Sequence, residues 1–129
     1  DSQKLHDEMV AVEEEIWQGL DIPYHKLNVC SGDLWNPAMK KYDLEAWMPA
    51  QQKYREVTSC SNVWEYQSRR LWIKYRDSNW DLQYVHTLNG TVSAIWRCLI
   101  AIIENYQTAS GDVIIPEVLV PFMWWKKII

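Results

Sequence analysis

One segment in the middle of the chain alternates its side chains with a period of two. In YDLEAWMP the residues of one phase are Tyr42, Leu44, Ala46 and Met48, and Pro49 closes the run. This pattern is typical of a strand that is buried on one face. The segment QQKYREVTSCSN reads as a second strand and follows after the short PAQQ connection. The sequence therefore predicts an antiparallel hairpin.

Two other parts of the chain have a period of three to four residues. Near the amino terminus the apolar residues at this spacing are Leu5, Met9, Val12, Ile16 and Leu20. We predict an amphipathic helix that ends near Gly19 and buries this stripe. A strand that turns at Asn89-Gly90 is predicted to lead into a second helix of about four turns. The core stripe of that helix is Ile95, Leu99, Ile102 and Tyr106.

The remaining segments predict further strands and turns. HKLNVCS and LQYVHTL read as strands, and SNVWEYQSRRLWIKYR reads as a short helix, capped by its Ser or Asn, that leads into another strand. GDVIIPEVLVPFM predicts a turn, a short strand and a Pro-started helical turn. This order of elements predicts one α+β domain with a mainly antiparallel sheet flanked by helices.

Composition excludes several classes of protein. The net charge of −4 argues against a dedicated nucleic-acid surface, which is normally basic. No apolar run approaches the ~18 residues that span a bilayer, and DSQKLHDEMV lacks the features of a signal peptide. We therefore expect a cytoplasmic protein without a membrane partner. Cys30, Cys60 and Cys98 form no CxxC pair, so we expect them to be reduced and mostly buried.

Several long blocks of the sequence carry a family resemblance. They are KKYDLEAWMPAQQKYREVTSCSNVWEYQSRR, VHTLNGT, IAIIENYQ and IPEVLVPFM. In this order and spacing they resemble the carboxy-terminal half of the catalytic domain of seryl-tRNA synthetases, which are class II aminoacyl-tRNA synthetases. The resemblance covers nearly the whole chain. It implies an antiparallel class II sheet that binds ATP and serine, forms seryl-adenylate and transfers the seryl group to tRNA(Ser).

The resemblance also implies roles for individual residues. The block Glu56, Val57, Thr58 and Ser59 would contact ATP, with Glu56 and Ser59 serving Mg²⁺ and the phosphates. Asn89 and Thr91 match positions that shape the serine pocket. Arg97 matches the arginine of the third class II motif, which grips ATP, so Arg97 and Glu56 are the residues expected to act in catalysis.

The chemistry of these side chains agrees with such roles. Adenylate formation needs charge neutralisation at the phosphates more than it needs a protein nucleophile. Glu56 and Ser59 offer the hard oxygen ligands that Mg²⁺ accepts. They are three positions apart, so a regular strand would put them on opposite faces, and a bulge or strand end is predicted near Thr58. Arg97 would add a guanidinium group to a helix start that already favours anions.

The resemblance leaves out parts of the family's architecture. The first class II motif, the dimer-forming segment and the amino-terminal coiled coil that binds tRNA(Ser) have no match in these residues. We therefore expect a fragment of a homodimeric enzyme, with little or no aminoacylation by the fragment alone. A non-catalytic paralogue that acts as a binding or structural module is the first alternative. A ligase that loads an amino acid onto a carrier protein is the second.

Glycine is scarce and tryptophan is abundant in this chain. It has 4 Gly and 9 Trp, whereas average usage of about 7% predicts roughly nine glycines. Tryptophan occupies six positions where the family has, or plausibly has, glycine: Trp35, Trp72, Trp80, Trp96, Trp124 and Trp125. Our hypothesis is that the gene reads UGA as glycine but was decoded as tryptophan. Trp47 reads as native, and Trp64 is left open. Read literally, Trp96, Trp124 and Trp125 would crowd the nucleotide site.

Overall fold

The structure is a computed structural model that describes residues 1–129. The helices are α1 (Ser2–Gly19), α2 (Tyr66–Leu71) and α3 (Ile95–Tyr106). The strands are β1 (Tyr24–Asn28), β2 (Lys40–Met48), β3 (Lys53–Trp64), β4 (Lys74–Arg76), β5 (Leu82–Tyr84) and β6 (Thr87–Gly90). Two 3-10 helical segments cover Pro49–Gln51 and Glu117–Met123. The predicted α+β class is confirmed. No helix combines the length and the apolar character that crossing a membrane requires.

The main sheet is antiparallel and has the strand order β1-β2-β3-β6. Its centre is the β2-β3 hairpin, which Pro49–Gln51 connects, as the period-two pattern predicted. The prediction of a single strand over LQYVHTL is wrong. The first part of that segment, β5, pairs with β4 in a separate hairpin, whereas β6 pairs with β3. The chain changes partner between Tyr84 and Thr87.

Two predicted boundaries are also wrong. Asn89 and Gly90 do not form a turn but end strand β6, where they pair with Ser61 and Cys60 of β3. The Ser/Asn cap of the short helix is absent, because Ser61 and its neighbour Asn62 remain inside β3 and α2 starts only at Tyr66. In each case pairing between β3 and β6 extends the strands over residues that locally favour turns or caps.

Helix α1 forms where it was predicted but is rotated about its axis. Its buried residues are His6, Val10, Glu13 and Trp17, whereas Leu5 and Val12 of the predicted stripe are about half exposed. The rotation brings Trp17 into the core. It also buries two polar side chains, His6 and Glu13, which form hydrogen bonds with β3. His6 Nε2 donates to the Cys60 carbonyl at 3.0 Å, and Glu13 accepts a hydrogen bond from Thr58.

Helix α3 packs on the same face of the sheet as α1. Its buried residues are Ala101 and Ile102, which join Trp17 in one core cluster with apolar residues of β2 and β3. Of the predicted stripe, Ile102 and Tyr106 face this cluster, but Ile95 and Leu99 are exposed. The stripe assignment is therefore half wrong for α3.

The cysteines are all free, as expected. Cys60 is buried and Cys98 is half-buried, but Cys30 is exposed, so the expectation of burial is wrong for Cys30.

Candidate functional site

The two faces of the main sheet differ in character. One face is covered by α1 and α3, which pack on Leu44, Ala46 and Val57. Because side chains alternate along a strand, Asp43 and Glu45 of β2 belong to the opposite face, which neither helix covers. A ligand can therefore approach the strands of the main sheet from the uncovered face.

A β-bulge in β3 sets the orientation of Glu56 and Ser59. Leu44 is paired with Thr58, but its neighbour Glu45 is paired with Glu56, so Val57 is an extra residue without a partner on β2. An extra residue shifts the alternation of side chains by one position. Glu56 and Ser59 are therefore both on the uncovered face, and both are half-buried. The bulge predicted near Thr58 is confirmed.

The bulge turns the two residues between Glu56 and Ser59 to the covered face of the sheet. Val57 is fully buried in the core cluster, and Thr58 is 3% exposed. The Thr58 hydroxyl donates to Glu13 Oε2 of α1 at 2.5 Å. The side chains of Val57 and Thr58 are thus held on the covered face, so only their main-chain atoms are free to meet a ligand on the other side.

Arg97 contacts Glu56 directly. It is the third residue of α3, and its Nη1 donates to the Glu56 carbonyl oxygen at 2.8 Å. The same nitrogen lies 3.6 Å from Glu56 Oε2. Both side chains are about half exposed, so the ion pair contributes at most about 1 kcal/mol to stability. The pair holds the guanidinium group beside the carboxylate but leaves both groups available to a ligand.

Around this pair the surface forms a depression of about 310 Å³. Its lining residues are Met48, Gln51, Arg55, Glu56, Arg97 and Ile100. Arg55 was missed by sequence reasoning, although its position next to Glu56 could have drawn attention to it. Its Nε donates to Gln51 Oε1 at 2.7 Å. Arg55 is paired with Ala46 of the core, so its side chain leaves β3 on the face opposite to Glu56 and Ser59. Arg97 is therefore the guanidinium group that is placed beside Glu56, and it favours an anionic oxygen ligand.

Asn89 of β6 and Thr91, directly after this strand, lie close to Ser59. Asn89 is paired with Ser61, and the Thr91 N–H donates to the Ser59 carbonyl at 2.9 Å. Alternation puts Asn89 and Thr91 on the same face as Ser59. Both residues are exposed. The structure therefore brings the residues predicted for serine next to one of the residues predicted for Mg²⁺.

Asp43 is a further acidic residue of this face that sequence reasoning missed. It is paired with Ser59 and is 7% exposed. Burial raises the pKa of Asp43, the hydrogen bond and charge of Lys41 lower it, and the charges of Glu56 and Glu45 raise it. The alternation of Asp43 with Glu45 was visible in the sequence, but its burial was not.

The donor set fits a metal ion that is shared with a phosphate ligand. No three His, Cys, Asp or Glu side chains gather closely enough to hold a metal ion by themselves. Glu56 and Ser59 supply two oxygen donors on one face, and Mg²⁺ commonly takes only one or two protein carboxylates together with phosphates and waters. These two residues would hold Mg²⁺ here, with the remaining ligands supplied from outside the protein.

The tryptophans do not fill this site. None of the residues that line the depression is a tryptophan, and the Trp96 side chain is 80% exposed. The depression around Arg97 itself is therefore lined by none of Trp96, Trp124 and Trp125. Five tryptophans instead have left-handed backbone angles, with φ between 50° and 66°: Trp64, Trp72, Trp80, Trp124 and Trp125.

Comparison with known proteins gives consistent matches along the chain. Residues 1–106 match the family model of the tRNA synthetase class II core domain (G, H, P, S and T). The chain is 51% identical over 128 residues to the serine–tRNA ligase of Dictyoglomus thermophilum, with 99% of this chain and 30% of the ligase covered. It is 50% identical over 130 residues to that of Thermococcus sibiricus, with 100% and 29% covered. The chain spans about 30% of the length of the curated relatives it matches.

Solved structures agree with the sequence matches. Seryl-tRNA synthetase from Pyrococcus horikoshii, complexed with ATP, superimposes with a TM-score of 0.94 at 47% identity over 99% of this chain and 29% of that one. The cytoplasmic serine–tRNA ligase of Naegleria fowleri, in complex with AMP, gives a TM-score of 0.91 at 46% identity over 100% and 30%.

Proposed function

The chain belongs to the tRNA synthetase class II core-domain family. We propose that it forms part of the catalytic domain of a serine–tRNA ligase. The reaction is ATP-dependent activation of serine to seryl-adenylate, followed by transfer of the seryl group to tRNA(Ser). The observation that carries this proposal is the bulge at Val57, since it turns Glu56 and Ser59 to one face. Arg97 reaches Glu56, and the similar protein from Pyrococcus horikoshii is complexed with ATP.

Each residue has a distinct task in this proposal. Arg97 binds the ATP phosphates and offsets their negative charge. Glu56 and Ser59 would hold Mg²⁺, which neutralises charge on the phosphates when it is bound. Glu56 must then exchange its contact with Arg97 for the metal ion. This exchange costs little, because the exposed ion pair between them is weak.

Asn89 and Thr91 bind serine in this proposal. Their side chains can donate and accept hydrogen bonds. Asn89 lies in β6 beside Ser61, and Thr91, directly after β6, is bonded through its N–H to the Ser59 carbonyl. Serine bound there would lie next to the residues that hold Mg²⁺ and the phosphates. Such a position suits attack of the serine carboxylate on the α-phosphorus, because reaction requires the two groups to be held within contact distance.

The proposal extends to the protein in which these residues work. We infer a homodimer with an amino-terminal coiled coil that binds tRNA(Ser) and with a cytoplasmic location, and we infer that residues 1–129 supply the carboxy-terminal portion of the catalytic domain. Exposed apolar side chains on α3 support a further protein surface against this helix: Ile95, Leu99 and Ile103.

Calorimetric titration of the chain with ATP and Mg²⁺ tests the site. We expect saturable binding that Arg97→Ala weakens at least about tenfold, which is the loss of about one charge-assisted hydrogen bond. Arg76→Ala is the matched control, since Arg76 is an exposed arginine of β4 outside the depression. Absent binding, or equal effects of the two substitutions, would contradict the proposed site.

Serine-dependent exchange between ATP and pyrophosphate tests the reaction in the longer protein. We expect exchange there and no serylation of tRNA by residues 1–129 alone. Binding of ATP without exchange in the longer protein would favour the non-catalytic module. Exchange followed by transfer to a carrier protein, rather than to tRNA, would favour the second alternative. Robust serylation by the isolated residues would overturn the inferred division of the catalytic domain.

A further inference from the structure

A buried acid lies beneath the candidate site, on the covered face of the sheet. Glu13 of α1 is 1% exposed, and its Oε2 accepts the hydrogen bond from Thr58. Its other oxygen, Oε1, has no hydrogen-bond partner in the protein. Burial raises the pKa of Glu13, the hydrogen bond from Thr58 lowers it, and the charge of Asp43 raises it. Burying such a group is costly, so its contacts need an explanation.

Glu13 holds one of the two residues that make the bulge. The other, Val57, is fixed by the hydrophobic core. With Val57 and Thr58 both anchored on the covered face, the flanking residues Glu56 and Ser59 must both turn to the uncovered face. A bulge that slipped by one residue would turn one of these two side chains over, because the side-chain period of a strand is two. The hydrogen bond from Thr58 to Glu13 opposes that slip.

Glu13 also supports strand β6. A Cβ added at Gly90 would lie 3.3 Å from Glu13 Oε1 and 2.7 Å from Met9 Cε. These α1 side chains therefore leave no room for a side chain at this position of β6. Gly90 is the residue between Asn89 and Thr91, so the Glu13 carboxyl group lies close to the point of the backbone that carries the two residues proposed for serine. Glu13 thus accepts a hydrogen bond from β3 and lies close to β6 at Gly90.

We propose that Glu13 is a positioning residue for this site, which keeps Glu56 and Ser59 in the same orientation by holding Thr58 and which supports β6 at Gly90. This inference rests on the proposed function for its ligand, ATP with Mg²⁺. Glu13 itself touches neither nucleotide nor metal. Its role differs from general stabilisation of the fold, because it acts on the relative orientation of two side chains.

Comparison of two ligands separates positioning from a general structural role. ATP with Mg²⁺ needs both Glu56 and Ser59, whereas AMP lacks the β- and γ-phosphates. We expect Glu13→Leu to weaken binding of ATP with Mg²⁺ at least about tenfold and binding of AMP less than about threefold, because one hydrogen bond that orients the site is lost. Glu13→Gln keeps an acceptor for Thr58 and is expected to restore the ratio. Equal losses for both ligands would overturn the inference.

Amide hydrogen exchange tests the bulge without any ligand. We expect Glu13→Leu to accelerate exchange at residues 56–59 about tenfold, since local opening becomes easier. Glu13→Gln and the surface control Glu15→Leu should leave that exchange unchanged. Thr58→Val removes the hydrogen-bond donor with little change of shape and should reproduce the effect of Glu13→Leu. This second variant tests the same hydrogen bond if Glu13→Leu does not fold.

The two measurements fail in distinguishable ways. Unchanged exchange in both Glu13→Leu and Thr58→Val overturns the positioning role, whatever the nucleotide does. Accelerated exchange in a protein whose unsubstituted form binds no ATP supports the role of Glu13 at the bulge and overturns the proposed function.

Discussion

At the residue scale, the backbone distinguishes among the tryptophans. Trp72, Trp80, Trp124 and Trp125 have positive φ angles, which cost a residue with a side chain about 1–2 kcal/mol each. These indoles are at least 74% exposed, so hydrophobic burial of the indole offsets little of this backbone strain. The backbone geometry therefore favours glycine at these four positions, as the decoding hypothesis requires. Trp64, which the sequence left open, also has a positive φ angle, so glycine is favoured there too. Trp35 and Trp96, by contrast, are not among the residues with positive φ.

Replacement by glycine should therefore stabilise the fold at a strained position. Trp72 is the left-handed residue that ends α2, and we expect Trp72→Gly to raise the free energy of unfolding by about 1 kcal/mol. Urea denaturation measures this change. Trp47→Gly is the matched control and should lower the stability, because Trp47 is half-buried in β2 and packs against Tyr54. A loss of stability in Trp72→Gly would count against the decoding hypothesis, and the codons at both positions give an independent check.

The cysteines should differ in reactivity. Burial, followed by the charge of Glu13, raises the pKa of Cys60 to about 12, and a thiol reacts through its thiolate. Cys30 is exposed. Alkylation with iodoacetamide at pH 8, followed by mass spectrometry, should modify Cys30 in the folded protein and leave Cys60 unmodified. In urea both should react, and similar rates for the two thiols in the folded state would show that Cys60 is not shielded.

At the element scale, hydrophobic periodicity located most elements but failed to orient two helices. It identified α1 and the β2-β3 hairpin because both are local patterns. It could not show that His6 and Glu13 would be buried, since their partners on β3 are distant in sequence. The split between β5 and β6 was missed for the same reason. The bulge at Val57 was foreseen only because two proposed ligands three positions apart required it.

The buried acid of α1 should make stability depend on pH. The pKa of Glu13 is raised above its ordinary value of 4.5, so the folded state holds this proton more tightly than the unfolded state does. Stability is then lost as the pH rises above 4.5 and through the folded-state pKa. We expect Glu13→Gln to be increasingly more stable than the unsubstituted protein between pH 4 and pH 7, as measured by urea denaturation at each pH.

Three ionisable side chains lie near Glu13. Asp43 and Cys60 are coupled to it by charge, and His6 lies on the same buried face of α1. Asp43 and Cys60 remain in Glu13→Gln, but their charge interaction with Glu13 is lost, so the difference between the two proteins reports Glu13 together with this interaction. Parallel stability curves would show that Glu13 has the same proton affinity in the folded and unfolded states.

At the scale of the whole molecule, the candidate site is assembled from four elements. Glu56 and Ser59 come from β3, Asn89 from β6 and Arg97 from α3, while α1 supports the bulge from the covered face. The apolar stripe predicted for α3 is real, but half of it faces outward. Periodicity shows that a helix face is apolar without showing which neighbour covers it. The face of α3 at Ile95 and Leu99 therefore became clear only from the structure.

Glu56 and Arg97 have different proposed ligands, the metal ion and the phosphates, so their contributions to ATP binding should be separable. Removing Mg²⁺ with EDTA should weaken ATP binding to the chain at least about tenfold, because the phosphate charge is then less well neutralised. In Glu56→Gln the added EDTA should have little effect, since a neutral amide is a poor ligand for Mg²⁺. In Arg97→Ala binding should be weak but should still respond to EDTA. Equal responses in the two variants would show that Glu56 does not hold the metal ion, whereas Arg97 could still bind phosphate.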